Sequence, residues 1–479
     1  MPMPPLLVRN TGFYFLAGGI NQAITLMLWV VLAWWLPPAE IGVFALAIFV
    51  IDLLASVSAM GLEHSIMRFY YDNQKSSLLI QSAFLLLFLC LIVTVSLFVV
   101  LQSLILKLLP NAVILSQYTW LFALLITTTT LSNVLVIYYN AAKKPFAYTI
   151  NILIRTSVFF IAALVLVGSG TSILGVFVAS TLAMSSATIL FLWKERPFTK
   201  PSSLSFGISY RMFLYGFPLM LYGILNFLVT YINRIFLDHN TDLASVGIYN
   251  FFLMIAMQAN AVWSAFNRSW TPEVFSNLAD GKDIESTQTA KMAFLITFLY
   301  LFVFTVFVAI SELFFLKLVF KPIYFDHRSL LYILLVGPLF TGVYTVVHPH
   351  IYFSKQTIKI LLVSVIVSIL YLFSTFFIVK WWGIEGAATS FTGMLTAFAL
   401  AYVVGFKATS RIPSRVVAWC FLLVTLMAIA IAILLVTSST IVFWMVILAT
   451  TILTYWLGNI DEYRKIVHSA IKEKIRSLQ

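Results

Sequence analysis

Apolar and polar positions along this chain fall into long greasy runs broken by short polar stretches. A helix that crosses a bilayer needs about 20 mostly apolar residues, whereas a strand of a membrane barrel needs roughly half that length. Runs of the longer kind occupy residues 11–35, 41–61, 78–100, 118–138, 148–168, 172–193, 212–232, 245–266, 293–310, 330–353, 358–379, 384–405, 416–436 and 441–457. The expected fold class is therefore an all-α polytopic membrane protein with about 14 transmembrane helices.

Inside the first run the chain reads Gly18-x-x-Asn21-x-x-x-Thr25, and the second opens Ile41-Gly42-Val43-Phe44. A shift of 205 residues, without a gap, gives Gly223-x-x-Asn226-x-x-x-Thr230 and Val246-Gly247-Ile248-Tyr249. The pattern predicts a duplication, with pseudo-symmetric six-helix lobes at 1–193 and 212–405 and a cytoplasmic connector at 194–211. Two appended helices follow within 406–457, then a basic amphipathic tail at 458–479 that either lies on the inner leaflet or is solvated. The copies begin an even number of crossings apart, so the repeat is parallel, with its axis along the membrane normal. Positions three and four apart share a helix face. Each copy thus carries one small residue and two uncharged polar groups on one stripe, which either lines a path between lobes or lets helices pack closely.

Composition narrows the class. Of 479 residues, 62% are hydrophobic and only 10% charged, with a mean hydropathy of +1.01; soluble domains carry about 25% charged residues. The net charge of +12 follows from topology and calls for no nucleic acid. With the N-terminus inside, 22 Lys and Arg fall in cytoplasmic segments and 6 in outer ones, with Arg155 inside a span. By the positive-inside rule both termini are then cytoplasmic, and the basic excess attracts anionic membrane lipid. Cys90 and Cys420 sit in apolar spans, where thiols behave as small hydrophobes. No metal motif is present, and neither a metal nor a cofactor is expected. The first ten residues, with three prolines and one Arg, do not read as a cleaved signal segment.

A few polar side chains remain to carry chemistry. Asp52 falls near the middle of span two, where an isolated carboxylate costs on the order of 3 kcal/mol on insertion scales. It is the candidate coupling site, for a proton or a sodium ion, with a structural carboxylate bonded to neighbouring Ser and Thr as the other reading. Arg155, within span five, is the other centrally placed charge of the first lobe. Span seven carries Tyr215, Tyr222, Asn226, Thr230 and Asn233 along one polar and aromatic face, ended by Arg234. The candidate substrate-binding set is Arg155, Arg234, Asn21, Asn226, Tyr222 and Asn233. A guanidinium suits a phosphate held by paired hydrogen bonds, or a lipid headgroup. His348 and His350 lie two apart, on different helix faces, which disfavours a shared metal and leaves a proton relay. No Walker loop, HExxH or GxSxG motif occurs, so nothing reads as an ATPase, protease or hydrolase.

Three stretches carry a family resemblance. The run Leu36-Pro37-Pro38-Ala39-Glu40-Ile41-Gly42-Val43-Phe44-Ala45-Leu46-Ala47, with Gly61-Leu62-Glu63-His64-Ser65-Ile66-Met67-Arg68-Phe69-Tyr70-Tyr71, resembles the opening of polysaccharide transporters of the Wzx O-antigen flippase type. Asn233-Arg234-Ile235-Phe236-Leu237 before Val246-Gly247-Ile248-Tyr249 is similar to the start of that family's second lobe, where Asp-Arg is commoner than this Asn-Arg. Gly383-Ile384-Glu385-Gly386-Ala387-Ala388 is similar to a third signature. The resemblance implies the multidrug/oligosaccharidyl-lipid/polysaccharide exporter superfamily, whose two lobes form a V-shaped cavity opening alternately to either side. It implies, too, a non-enzymatic flippase that carries undecaprenyl-pyrophosphate-linked oligosaccharide from the inner to the outer leaflet of a bacterial cytoplasmic membrane. The polysaccharide polymerase machinery is then an expected partner. A multidrug or cation exporter of the same superfamily is the rival reading, and a polytopic polymerase is a further one. The first would want an acidic cavity, and the second a large outer loop or clustered carboxylates.

Overall fold

The computed structural model describes residues 5–70, 76–142, 144–195, 206–260, 263, 266–267, 270–271, 274, 286–310, 320–353, 357–405, 414–437 and 439–458. Most of the connector and all of the tail expected at 458–479 beyond Gly458 lie outside these residues. In hydrocarbon every backbone amide must be satisfied within its own segment or a closed sheet, and this chain uses helices. In order these are α1 Pro5–Trp35, α2 Pro38–Ala59, α3 Leu62–Phe69, α4 Ser76–Val100, α5 Gln102–Leu108, α6 Ile114–Gln117, α7 Thr119–Ala141, α8 Pro145–Leu166 and α9 Ser172–Glu195. They continue as α10 Phe206–Asn240, α11 Leu243–Met257, α12 Ser286–Ile310, α13 Pro322–Asp326, α14 Ser329–Phe353, α15 Thr357–Gly405, α16 Ser414–Thr437 and α17 Thr440–Gly458.

Among the described residues, 9 helical stretches are long and apolar enough to cross a membrane, and the shorter apolar helices Leu243–Met257, Ala293–Ala309 and Thr440–Tyr455 add to them. Two of the long stretches are hairpins. The stretch Phe146–Glu195 turns at Gly170 (φ 89) and Ser172 (φ 54). Across that turn Asn151 Nδ2 donates to the Ala187 carbonyl at 2.9 Å, and Lys144 Nζ meets Glu195 Oε2 at 2.6 Å. α15 breaks at Gly383 (φ 53, ψ −125), and the Ser364 and Tyr402 hydroxyls, 38 residues apart, meet at 2.7 Å. With both hairpins resolved, the apolar segments among the described residues number fourteen. The protein is an all-α polytopic membrane protein. Its outward surface suits lipid, with Phe88, Ile92 and Val93 of α4 and Ile366, Ile369 and Phe373 of α15 all exposed.

Span eight differs from the sequence expectation of 245–266: α11 ends at Met257, and Gln258 and Ala259 form a turn back onto Ile255 and Ala256. The polar pair Gln258 and Asn260 marks the break, Asn260 donating to Met257 Sδ at 3.2 Å.

The described chain divides into two compact units. The first comprises residues up to Met254 with Val379–Ile384. Here α9 packs along α7 and α8, α1 against α8, and α10 against α2, α3 and α4. Phe177 anchors the centre, 4.8 Å from Phe122 and 5.4 Å from Phe44 between ring centroids. Two glycine contacts join α2 to α11. A Cβ on Gly42 would strike the Leu243 carbonyl oxygen and lie 3.2 Å from Gly247 N; a Cβ on Gly247 would strike the Pro38 carbonyl oxygen and lie 2.9 Å from Gly42 N. At the other end of α2, Met60 (φ 47) and Gly61 (φ 66) turn the chain into α3. A Cβ on Gly61 would lie 2.8 Å from Gly216 Cα, and the Ser65 hydroxyl donates to the Met212 carbonyl at 2.8 Å.

The second unit comprises Ile255–Ile378 and the residues from Glu385 on. α12 is its axis, packing on α14 and α17, and α16 pairs with α17. Polar contacts pin these apolar faces: the Thr305 and Thr451 hydroxyls meet at 3.2 Å, and Trp444 Nε1 donates to the Thr305 carbonyl at 3.1 Å.

Candidate functional site

α2 and α10 pack side by side in the first unit, which brings the acid of span two against the basic end of span seven. The Tyr231 hydroxyl donates to Asp52 Oδ2 at 3.2 Å. Tyr231 and Arg234 are three apart on α10 and so share a face; the guanidinium carbon lies 4.1 Å from the Tyr231 ring centroid, a cation–π arrangement. Phe227, four residues earlier, stacks on the same ring at 4.2 Å, and Phe49 of α2 closes on both.

α10 and α11 follow one another across the short link at Thr241 and Asp242, and two side-chain hydrogen bonds join them. Asn233 Nδ2 donates to the Tyr249 hydroxyl at 2.9 Å, and Arg234 Nε donates to Asn250 Oδ1 at 2.9 Å. Asn233 is fully buried and Arg234 only 2% exposed. Arg234 Nη1 and Asn250 Nδ2 are buried without a hydrogen-bond partner among the described residues.

A second polar group lies on α1, α7 and α8. Arg155 Nη1 donates to Asn133 Oδ1 at 3.2 Å, and the Thr156 hydroxyl donates to Asn21 Oδ1. Arg155 and Asn21 are half-buried. Both arginines act electrostatically on Asp52. Neither forms a direct ion pair with an acid among the described residues, where the ion pair is that of Lys144 with Glu195. One carboxylate thus faces two guanidiniums, and the same unit also buries Asp238, four residues on from Arg234 and held by Asn111 Nδ2 at 2.7 Å.

The structure brings together Asp52, Arg234 and Asn233, and separately Arg155 with Asn21. Tyr222 and Asn226 lie on α10, but their side chains fall outside the described residues. The stripe glycines Gly18 and Gly223 face open space, a Cβ on either meeting nothing within 4 Å among the described residues. His348 packs its ring 4.6 Å from that of Tyr344, in the second unit. No cluster of three metal-ligating side chains is found among the described residues. Sequence reasoning passed over Tyr231, Asn250, Asn133 and Thr156. A signal existed for two of them, since folding the chain about Asp242 pairs Arg234 with Asn250, and the three-residue step back from Arg234 lands on Tyr231.

A model of the polysaccharide biosynthesis protein family matches residues 7–279. No curated protein matches the chain significantly. Among solved structures, the lipid II flippase MurJ in an inward closed conformation is similar at TM-score 0.67 and 14% identity, over 94% of this chain and 99% of that one. A multidrug resistance MATE family transporter in its inward-facing conformation is similar at TM-score 0.61 and 15% identity, over 83% of this chain and 94% of that one. A point mutant of the Vibrio cholerae MATE transporter VcmN is similar at TM-score 0.54 and 15% identity, over 81% of this chain and 98% of that one. At these identities the likeness is one of fold.

Proposed function

The chain belongs to the polysaccharide biosynthesis protein family, and from that membership we propose that it is a flippase, with no enzymatic step, for an oligosaccharide linked through pyrophosphate to a polyprenyl lipid. It moves the head group from the inner to the outer leaflet of a bacterial cytoplasmic membrane by alternating access, with both termini cytoplasmic. The observation that carries this reading is the charge beside Asp52: Arg155 inside span five and Arg234 at the end of span seven both act on that aspartate and form no ion pair with an acid among the described residues, while buried Asp238 is held by Asn111. Guanidiniums so placed attract an anion and repel the cations that an exporter of cationic drugs must admit. A sugar-pyrophosphate cannot shed its hydration in hydrocarbon, whereas half-buried Arg155 offers it a guanidinium and Asn21 an amide. Arg234, Asn226, Asn233 and Tyr222 belong to the same path, and Asp52 takes the coupling proton or sodium ion.

Two lobes related by the 205-residue repeat supply the moving parts, at 1–193 and 212–405. The reciprocal contact of Gly42 with Leu243 and of Gly247 with Pro38 supports that relation, since a two-fold places residue i on j and j on i. Lipid-linked intermediates from the polymerising pathway are the cargo's source and destination. Depletion of the protein in its host is expected to accumulate one lipid-linked oligosaccharide in the inner leaflet, read by extraction and leaflet-selective labelling. Unchanged lipid-linked pools with raised sensitivity to cationic dyes would favour the multidrug reading.

A further inference from the structure

Arg234 presents a physical difficulty for any cargo. Its side chain is 2% exposed, yet its Nη1 has no partner among the described residues. A buried guanidinium with an idle N–H is costly, because the group has left water without replacing all its hydrogen bonds. What covers it is Tyr231, whose half-buried ring lies over the guanidinium at 4.1 Å. Its hydroxyl donates to Asp52 Oδ2 at 3.2 Å and also interacts with the Arg234 side chain, so the tie to Asp52 helps fix the ring over the guanidinium. The rings of Phe227 and Phe49 pack beside the tyrosine.

We propose that Tyr231 is a latch that holds Arg234 away from an anionic cargo while Asp52 is charged, and releases it when Asp52 is neutralised by a proton or a bound cation. The proposal rests on the flippase reading for the cargo and adds the residue by which the coupling ion and the anion sense each other. Charged Asp52 accepts the tyrosine hydroxyl strongly and keeps the ring over the guanidinium. Neutral Asp52 holds the hydroxyl less strongly. The ring is then free to leave, and Arg234, with Asn250 Nδ2 beside it also unpartnered, gains access to a phosphate oxygen. Coupling of this kind is a shift between two side-chain arrangements, each favoured by a different ligand. The charged and titratable groups acting on Asp52 are few: Tyr231 and Arg234 from α10 and Arg155 from α8. Of the other elements packed on α2, α4 carries Cys90, α7 carries Tyr138 and Tyr139, α9 carries Lys194 and Glu195 in its last turn, and α6 carries no titratable side chain.

The test uses the full-length protein purified in detergent, with inorganic pyrophosphate as the probe and binding read by calorimetry. Tyr231→Phe keeps the ring and deletes the tie. Asp52→Asn keeps the shape and deletes the charge. Each is expected to tighten pyrophosphate binding about tenfold, the size of one hydrogen bond to a charged group. The double variant is expected to gain no more than either alone, and adding Arg234→Gln to either is expected to abolish the gain. A merely structural tyrosine would lose binding or leave it unchanged. Affinity equal to native in both single variants would overturn the latch, as would additive gains or a gain that survives Arg234→Gln. If Tyr231→Phe fails to fold, Asp52→Asn with and without Arg234→Gln decides the matter by the same gain and its loss. Failure of the flippase reading is separately visible: native protein in vesicles would then flip no lipid-linked oligosaccharide, whatever the pyrophosphate results.

Discussion

A charge inside an apolar span costs on the order of 3 kcal/mol on insertion scales, and Asp52, Arg155 and Arg234 are three such charges within one packed unit. Their mutual field offsets part of that cost without a direct ion pair among the described residues; half-buried Arg155 is the more open guanidinium, Arg234 lying under the Tyr231 ring. A different kind of residue fixes the local frame. Asp242, between α10 and α11, accepts the Ser245 backbone N–H at 2.7 Å, as an N-cap does for the orphan donors of a first turn. That bond, with the Ser245 hydroxyl, holds its carboxyl below the usual carboxylate range. A depressed folded-state pKa means the cap's contribution is complete above about pH 4 and is lost as pH falls through the folded value. Asp242→Ala is therefore expected to lower stability by about 1 kcal/mol or less at neutral pH. The gap between variant and native, measured by thermal unfolding in detergent, should narrow as pH falls below the ordinary carboxylate range; a gap constant with pH would show that the charge plays no part. The sequence made the lone charges legible because Asp and Arg stand out in greasy surroundings. Tyr231 did not stand out, since tyrosines also populate membrane interfaces and its role depends on α2 lying against α10, a contact no local pattern states.

Helices as elements were legible from run length, and so was the number of apolar segments. The break at Gly383 was legible too, since the runs 358–379 and 384–405 part there. Less legible was the end of α11, at Met257 inside a run that reads apolar to Phe266. The glycines divide into two classes that the sequence presented as one. Gly42 and Gly247 sit where backbones touch, and Gly18 and Gly223 face open space. Gly42→Ala and Gly247→Ala should each destabilise by about 1–3 kcal/mol, the usual cost of forcing atoms into a filled contact. Gly18→Ala and Gly223→Ala should instead be neutral or stabilising by up to about 1 kcal/mol, the helix-propensity difference. Thermal unfolding of the four variants separates the classes. Equal effects in all four would contradict the division, and with it the assignment of the Gly-Asn-Thr stripes to a lined path.

At the scale of the whole molecule, the fold is shared along nearly the full chain with a lipid II flippase and, over somewhat less, with multidrug transporters. Fold therefore does not choose the cargo; in the proposed reading the charge beside Asp52 does. A membrane potential negative inside favours outward movement of an uncompensated anion by about 2.3 kcal/mol per charge per 100 mV, so an anion flippase of this kind is expected to run faster as that potential grows. The most direct measurement reconstitutes the native protein in proteoliposomes with a fluorescent pyrophosphate-linked oligosaccharide and follows leaflet exchange under imposed potentials. Arg155→Ala is measured beside it. The expected result is protein-dependent flipping that accelerates with an inside-negative potential and falls at least about tenfold in the variant, the loss of one charge-assisted contact. Flipping indifferent to both potential and Arg155, or transport of a cationic dye in place of the lipid, would contradict the account.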